Sequence, residues 1–123
     1  MAEFSLTRTA HPTSDAARQA ALADPGFGRY YVDHMVVIDY VEGDGWQDPR
    51  IIPMGDWSLH PAAAVLHYGQ EIFEGMKAYR HEDGSVHLFR PEQNAARFNR
   101  SAARMMLPNL PEEDFVEAVR QLV

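Results

Sequence analysis

Apolar residues along the chain recur with two different periods, and each period predicts a different kind of element. Alternation of apolar and polar residues, or a cluster of β-branched and aromatic residues, predicts a strand, whereas a spacing of three or four predicts a helix. Four stretches have the strand pattern: 31–40, 46–52, 76–81 and 85–90. Turns at 42–45 and at Asp83-Gly84 join them in pairs, so we expect one mainly antiparallel sheet. Pro49 predicts that its strand lies at an edge or carries a bulge.

Three stretches have the helical pattern: 14–23, 91–106 and a last segment from Pro111. Hydroxyl groups of Thr13 or Ser14 suit the first helix start, and Pro91 suits the second. The last helix has acidic residues 112–114 in its first turn, and its apolar face comprises Phe115, Val116, Val119 and Leu122. Because this pattern is still running at Val123, we expect the chain to be a fragment of a longer protein. Residues 1–13 have neither pattern and predict a loose arm.

The stretch Leu66–Arg80, LHYGQEIFEGMKAYR, changes its period partway along. Ile72 and Met76 are spaced for one face of a helix, whereas the residues after Met76 alternate as in a strand. We therefore predict a helix that opens near Pro61 and ends at about Glu74, with a break at Gly75 before the strand. Helices packed on one side of an antiparallel sheet make an α+β fold.

Composition narrows the class of protein. The chain has 123 residues, 46% of them hydrophobic, a net charge of −7 and no cysteine. The negative charge argues against a nucleic-acid or anionic-membrane partner, and the absence of cysteine excludes a disulfide scaffold. No stretch has the apolar length of a signal peptide core or a membrane span. We expect a cytoplasmic domain.

Arginines form a stripe on the predicted 91–106 helix. Arg97, Arg100 and Arg104 lie at i, i+3 and i+7, which places them on one helix face. Such a stripe either faces solvent or binds an anion such as a phosphate. Spacing alone favours the solvated face.

The central stretch, together with LFRPEQNAARFNRSAARMMLP and the upstream DHM at 33–35, resembles the N-terminal domain of the branched-chain aminotransferases. These are fold type IV enzymes that use pyridoxal phosphate, and the resemblance covers residues 25–123 in collinear motifs. It implies that the chain is the small domain of a homodimeric enzyme of branched-chain amino-acid biosynthesis. That enzyme would transfer the amino group between leucine, isoleucine or valine and 2-oxoglutarate.

The resemblance also implies roles for four residues. Arg97 stands at the position of the arginine that binds the phosphate of pyridoxal phosphate, and Arg100 and Arg104 acquire no role. Tyr31, Tyr68 and Phe73 stand where the family walls the pocket for the branched side chain, although without the family three aromatic residues favour a core. Tyr68 would serve the partner subunit's active site. Tyr31 stands where relatives often have phenylalanine.

Lys77 is the only lysine, and pyridoxal phosphate enzymes need a lysine amine. Its place on the predicted strand favours solvent, and the resemblance assigns the catalytic lysine to a larger domain that this chain lacks. We therefore expect the chain alone to be inactive. Alternatives are another fold type IV enzyme, either a D-amino-acid aminotransferase or an aminodeoxychorismate lyase, and a non-catalytic module for self-association.

The six histidines have no close metal-ligand spacing, so no metal site is predicted. Asp33 and His34 are adjacent on a predicted strand and would point to opposite faces. A capping or core-satisfying role is favoured for both over an acid–base pair.

Overall fold

The computed structural model describes residues 2–123, and it has the α+β class that the sequence predicts. The strands are β1 (Ser5–Leu6), β2 (His34–Val41), β3 (Gly45–Pro53), β4 (Ala78–Arg80) and β5 (Val86–Leu88). The helices are α1 (Asp15–Ala23), α2 (Ala64–Tyr68), α3 (Pro91–Arg104) and α4 (Glu112–Leu122). Three of the four helices lie where the pattern predicts them, and Ser14 caps α1 by accepting a hydrogen bond from the Ala17 N–H.

The described strands form two sheets, so the prediction of one sheet is wrong. One sheet has the order β1-β3-β2, in which β2 and β3 are antiparallel and β1 runs parallel to β3. The other sheet is the antiparallel hairpin β4-β5. The hairpins themselves are confirmed. Alternation identifies residues that suit a strand, but it does not say which hairpins pair with each other.

Pro49 is predicted to mark an edge strand or a bulge, and it lies at a bulge. The pairing runs from Val37↔Arg50 to Asp39↔Gln47, so two residues of β3 stand opposite one residue of β2. Asp48 takes a positive φ of 47° there. The edge alternative is wrong, because β1 pairs with β3 on its other side.

The N-terminal arm is attached more closely than the sequence predicts. Beyond the pairing of β1 with β3, the Thr9 N–H donates to His34 Nε2 at 3.0 Å. The Thr13 N–H donates to Asp33 Oδ2 at 3.0 Å, and the Thr13 hydroxyl donates to Oδ1 of the same carboxylate. These bonds hold the pKa of Asp33 below its usual range, with the Thr13 hydroxyl as the main cause. Asp33 and His34 thus accept hydrogen bonds from the arm. Neither residue caps a helix or is buried in the core, so the capping or core-satisfying role predicted for them is wrong.

The core lies where α3, α4 and the three-stranded sheet meet. Its buried residues are Ile51, Ala95, Ala102, Leu110 and Val116. The Phe98 and Phe115 rings pack with centroids 5.2 Å apart between α3 and α4, and α4 packs on β2. Asn99 holds the connection between the helices, because its side chain both donates to and accepts from the Leu110 backbone.

Helix α2 is much shorter than predicted. It ends at Tyr68, and Gly69 follows in the left-handed conformation with φ of 57°, where its N–H donates to the Val65 carbonyl. The prediction of a helix to Glu74 with a break at Gly75 is wrong. Ile72 and Met76 share a face, but a spacing of four suits a period of two as well as a helix.

The surface is large for a chain of this size. Its accessible area is 9622 Å², whereas a compact monomer of 13.9 kDa would expose about 6,700 Å². Many large apolar side chains contribute to this excess. None of the helices in residues 2–123 combines the length and apolar character needed to cross a bilayer.

Candidate functional site

Residues 70–77 form an irregular segment that lies along α3. Their burial alternates: the even-numbered residues are partly buried, and the odd-numbered ones are exposed. Two sets of polar contacts attach the segment to the helix. The Gln70 side-chain amide donates to the Met105 carbonyl at 3.0 Å at one end, and Glu74 contacts Asn94 and Arg97 at the other. Because successive side chains point to opposite sides, the Glu74 side chain faces α3 and the Phe73 side chain faces solvent.

Glu74 forms a bidentate ion pair with Arg97. The Arg97 Nε–H donates to Oε2 at 2.7 Å, and its Nη2 donates to Oε1. Oε1 also accepts from Asn94 Nδ2 at 2.9 Å and from the Gly75 N–H at 3.1 Å. The Glu74 side chain is only 5% exposed. Its carboxylate is therefore removed from water but receives four hydrogen bonds in return.

These contacts strongly favour the ionised form of Glu74. The hydrogen bond from Arg97 is the largest cause, and the bond from Asn94 adds to it against the opposing effect of burial. Together they lower the pKa of Glu74 to about 2. The carboxylate is therefore charged throughout the neutral range, and it holds the pKa of Arg97 above its usual value.

Arg97 keeps an open face beside this pair. Its side chain is 58% exposed. A guanidinium has five N–H donors, and the contacts with Glu74 occupy one on Nε and one on Nη2. Within residues 2–123, nothing accepts a hydrogen bond from Nη1. A fixed, always charged fork with free N–H groups is the donor set that a phosphate requires, so the residues present fit a phosphate-bearing cofactor.

Arg100 and Arg104 differ from Arg97. Both are exposed, and in the described part of the chain neither has an ion pair or a side-chain hydrogen bond. This agrees with the solvated position predicted for them. One helix face thus holds a positioned arginine followed by two solvated ones.

The three predicted pocket aromatics are all highly exposed. Tyr31 is 77% exposed just before β2, Tyr68 is 84% exposed at the end of α2, and Phe73 is 79% exposed in the irregular segment. The alternative prediction, that the three aromatics belong to the core, is therefore wrong. The Phe73 ring lies beside Gly75, the residue whose N–H donates to Glu74: a Cβ built at Gly75 would be 3.4 Å from Phe73 Cε1. The grouping of all three aromatics around one pocket stays a prediction.

Lys77 is exposed, as predicted, but it lies just before β4 and not on the strand. Odd-numbered residues of the segment face outward, which explains its exposure. It has no ion pair within residues 2–123. Some histidines make local contacts, such as the 2.6 Å hydrogen bond between His67 Nε2 and the Pro61 carbonyl. No three His, Asp or Glu side chains in the described chain are grouped as a metal site.

An apolar cavity of about 270 Å³ lies between the sheet and the helix pair. Val36, Trp46, Phe98 and Leu122 are among its lining residues. None of the three predicted pocket aromatics lines this cavity.

Known proteins resemble this chain along nearly its whole length. A branched-chain-amino-acid aminotransferase of Mycolicibacterium smegmatis is 56% identical over 121 residues, which cover 98% of this chain and 33% of that protein. The chain is similar to the branched-chain-amino-acid aminotransferases over nearly its whole length. A probable branched-chain-amino-acid aminotransferase of Streptomyces coelicolor is 56% identical over 96% of the chain and 33% of its own length. Branched-chain-amino-acid transaminase 1 of Bacillus subtilis is 56% identical over 80% of the chain and 28% of its own length.

The chain thus spans about a third of the length of these relatives. No family profile matches it. The aminotransferase relatives are enzymes by name, and the resemblance predicted from the sequence motifs is confirmed.

Sequence reasoning missed Glu74 and Asn94. A helix through Glu74 predicts no inward carboxylate there, and neither residue belongs to a pattern with a known chemistry. The available signal was the period of two in residues 70–77, which places Glu74 on the same side as Ile72 and Met76.

Proposed function

We propose that this chain is the small domain of a pyridoxal phosphate-dependent branched-chain aminotransferase. The enzyme would transfer the amino group between leucine, isoleucine or valine and 2-oxoglutarate. The observation that carries this proposal is the 56% identity to a protein so named over 98% of the chain. The exposed Arg97 fork supports it, because the fork suits the phosphate of the cofactor.

Arg97 would hold the phosphate through Nη1 and the second N–H of Nη2. Pyridoxal phosphate, when bound, supplies the electron sink for the transfer. The protein binds and orients the reactants and excludes water. A charge-assisted bond from Arg97 would contribute about 1.5–3 kcal/mol to cofactor affinity.

Tyr31, Phe73 and Tyr68 would wall the substrate pocket, with Tyr68 serving the partner subunit's active site. Their high exposure supports this proposal, because these aromatic side chains stay available for contacts outside the domain core. An apolar pocket separates side chains that differ by one methylene by only about 1–3 kcal/mol. Overlapping activity on leucine, isoleucine and valine follows.

The catalytic lysine would belong to a second, larger domain. Lys77 is the only lysine of this chain, and it faces outward beside β4. The enzyme would act in the cytoplasm as a homodimer. The large accessible area of the domain leaves ample surface for both a second domain and a partner subunit.

Steady-state assays of the full-length protein test the proposal. We expect turnover of leucine, isoleucine and valine with 2-oxoglutarate, and far less with D-alanine or aminodeoxychorismate. Preferred turnover of D-alanine or aminodeoxychorismate would contradict the proposal and indicate another fold type IV enzyme. Residues 1–123 alone should show no turnover above a buffer blank, and borohydride reduction with pyridoxal phosphate should leave Lys77 without a stoichiometric adduct.

A further inference from the structure

The Glu74 carboxylate is the least exposed charged group at the candidate site, and the proposed function leaves it without a role. It is 5% exposed and receives hydrogen bonds from Arg97, Asn94 and the Gly75 backbone. An anion next to a phosphate-binding arginine should weaken phosphate binding by repulsion. Its presence there therefore needs a compensating advantage.

The geometry provides that advantage. A free arginine side chain has several rotatable bonds, and ordering such a side chain on binding costs conformational entropy. The bidentate contact fixes the plane of the Arg97 guanidinium before any ligand arrives. It also occupies the Nε edge and leaves Nη1 free.

Asn94 fixes the carboxylate in turn. Its Nδ2 donates to Glu74 Oε1 at 2.9 Å and to the Gly75 carbonyl at 3.2 Å, and it lies one turn of α3 before Arg97. The carboxylate is thus held from the helix and from its own backbone. Both contacts are made to Oε1, the oxygen that also accepts from Arg97 Nη2.

We propose that Glu74, held by Asn94, is a positioning residue that fixes the Arg97 guanidinium for the phosphate of the cofactor. This inference rests on the proposed function and assigns that function a further residue. Glu74 acts through Arg97 and does not itself touch the phosphate. Shortening its side chain by one methylene keeps the charge but breaks the bidentate geometry.

The test uses Glu74→Asp in the full-length protein, with and without Arg97→Ala. Cofactor affinity is measured by titration of the visible absorption of bound pyridoxal phosphate. We expect Glu74→Asp to weaken binding about threefold to tenfold when Arg97 is present. In the Arg97→Ala background the same substitution should have no effect, because the group through which it acts is gone.

A second readout is the ³¹P resonance of bound pyridoxal phosphate. In Glu74→Asp it should move toward its position in Arg97→Ala, and Asn94→Ala should move it in the same direction by a smaller amount. The matched control is Asp24→Glu, which changes the length of the side chain and keeps its charge. Asp24 pairs with Arg29 at 3.2 Å, and both side chains are exposed. It should leave affinity and resonance unchanged.

The outcomes separate this inference from the proposed function. Equal weakening by Glu74→Asp in both backgrounds would mean that Glu74 only stabilises the fold, and it would overturn the positioning role. Unchanged affinity and an unchanged resonance in Glu74→Asp would overturn it as well, while the proposed function would stand. A full-length protein that binds no pyridoxal phosphate would overturn both.

Discussion

Helix α3 has two faces that contact the rest of the chain by different means. One face places Ala95, Phe98 and Ala102 against the core beside α4. Its contacts are mainly apolar, and Asn99 adds two hydrogen bonds to the Leu110 backbone. The other face places Asn94 and Arg97 against the irregular segment, and its contacts are hydrogen bonds to the Glu74 carboxylate and to the Gly75 carbonyl. The first face holds the domain together by burial. The second orients a charged group and leaves part of it in solvent.

The difference shows what each kind of contact contributes. Apolar contacts are non-directional, and two alanines at 1% exposure allow close approach of the neighbouring chain. The polar contacts are directional, so they set the orientation of one guanidinium. We expect substitutions on the apolar face to change stability alone, and substitutions on the polar face to change cofactor binding as well as stability. The predictions below test this separation, from the largest effect to the smallest.

Leu110→Ala should give the largest loss of stability, because Leu110 belongs to the core against which the apolar face of α3 packs. Leu110 is 8% exposed, and removing a buried leucine side chain costs about 2–5 kcal/mol. Urea unfolding of the full-length protein measures the free energy of unfolding. The control is Leu22→Ala on α1, where the leucine is 67% exposed and the loss should be small. Equal losses for the two variants would contradict the placement of the core.

Acid should remove the contribution of the polar face to stability. The pKa of Glu74 is lowered from 4.5 to about 2, so the ion pair contributes fully above about pH 4.5. The contribution is lost as the pH falls from there toward 2. Urea unfolding at pH 5 and pH 3 measures it in unaltered protein and in Glu74→Gln. The gap between the two proteins should shrink at pH 3, and a constant gap would contradict the ion pair.

Phe73→Ala should change selectivity and leave stability nearly unchanged. The side chain is 79% exposed, so little packing is lost within the domain. An apolar wall contributes about 1–3 kcal/mol to discrimination between side chains. We expect a higher Michaelis constant for leucine and a weaker preference for leucine over alanine in the full-length enzyme. Unchanged discrimination would remove Phe73 from the pocket.

The apolar packing of α4 on α3 was predictable from the sequence, and the polar contacts of α3 were not. Phe115, Val116 and Val119 recur at helical spacing, so the pattern itself identifies the face that packs on α3 and β2. The inward turn of Glu74 depends on a period of two in a stretch where Ile72 and Met76 fit either period. The partner of Arg97 is 23 residues away in sequence, and no local pattern connects the two.

The same limit applies to the sheets and the arm. Turn residues at 42–45 and Asp83-Gly84 identify both hairpins, because turn geometry is local. The parallel pairing of Ser5 and Leu6 with β3 joins residues about 45 positions apart. Such contacts depend on the whole fold and leave no periodic trace in the arm.

The central claim is that Arg97, and not its neighbours on the same helix face, binds the cofactor phosphate. The most direct measurement compares the affinity of full-length Arg97→Ala and Arg104→Ala for pyridoxal phosphate by spectral titration. Arg104 is exposed and, within residues 2–123, has no ion pair, so it is the matched control. We predict that Arg97→Ala weakens binding by about 1.5–3 kcal/mol and that Arg104→Ala binds like the unaltered protein. Equal affinities of the two variants would contradict the claim.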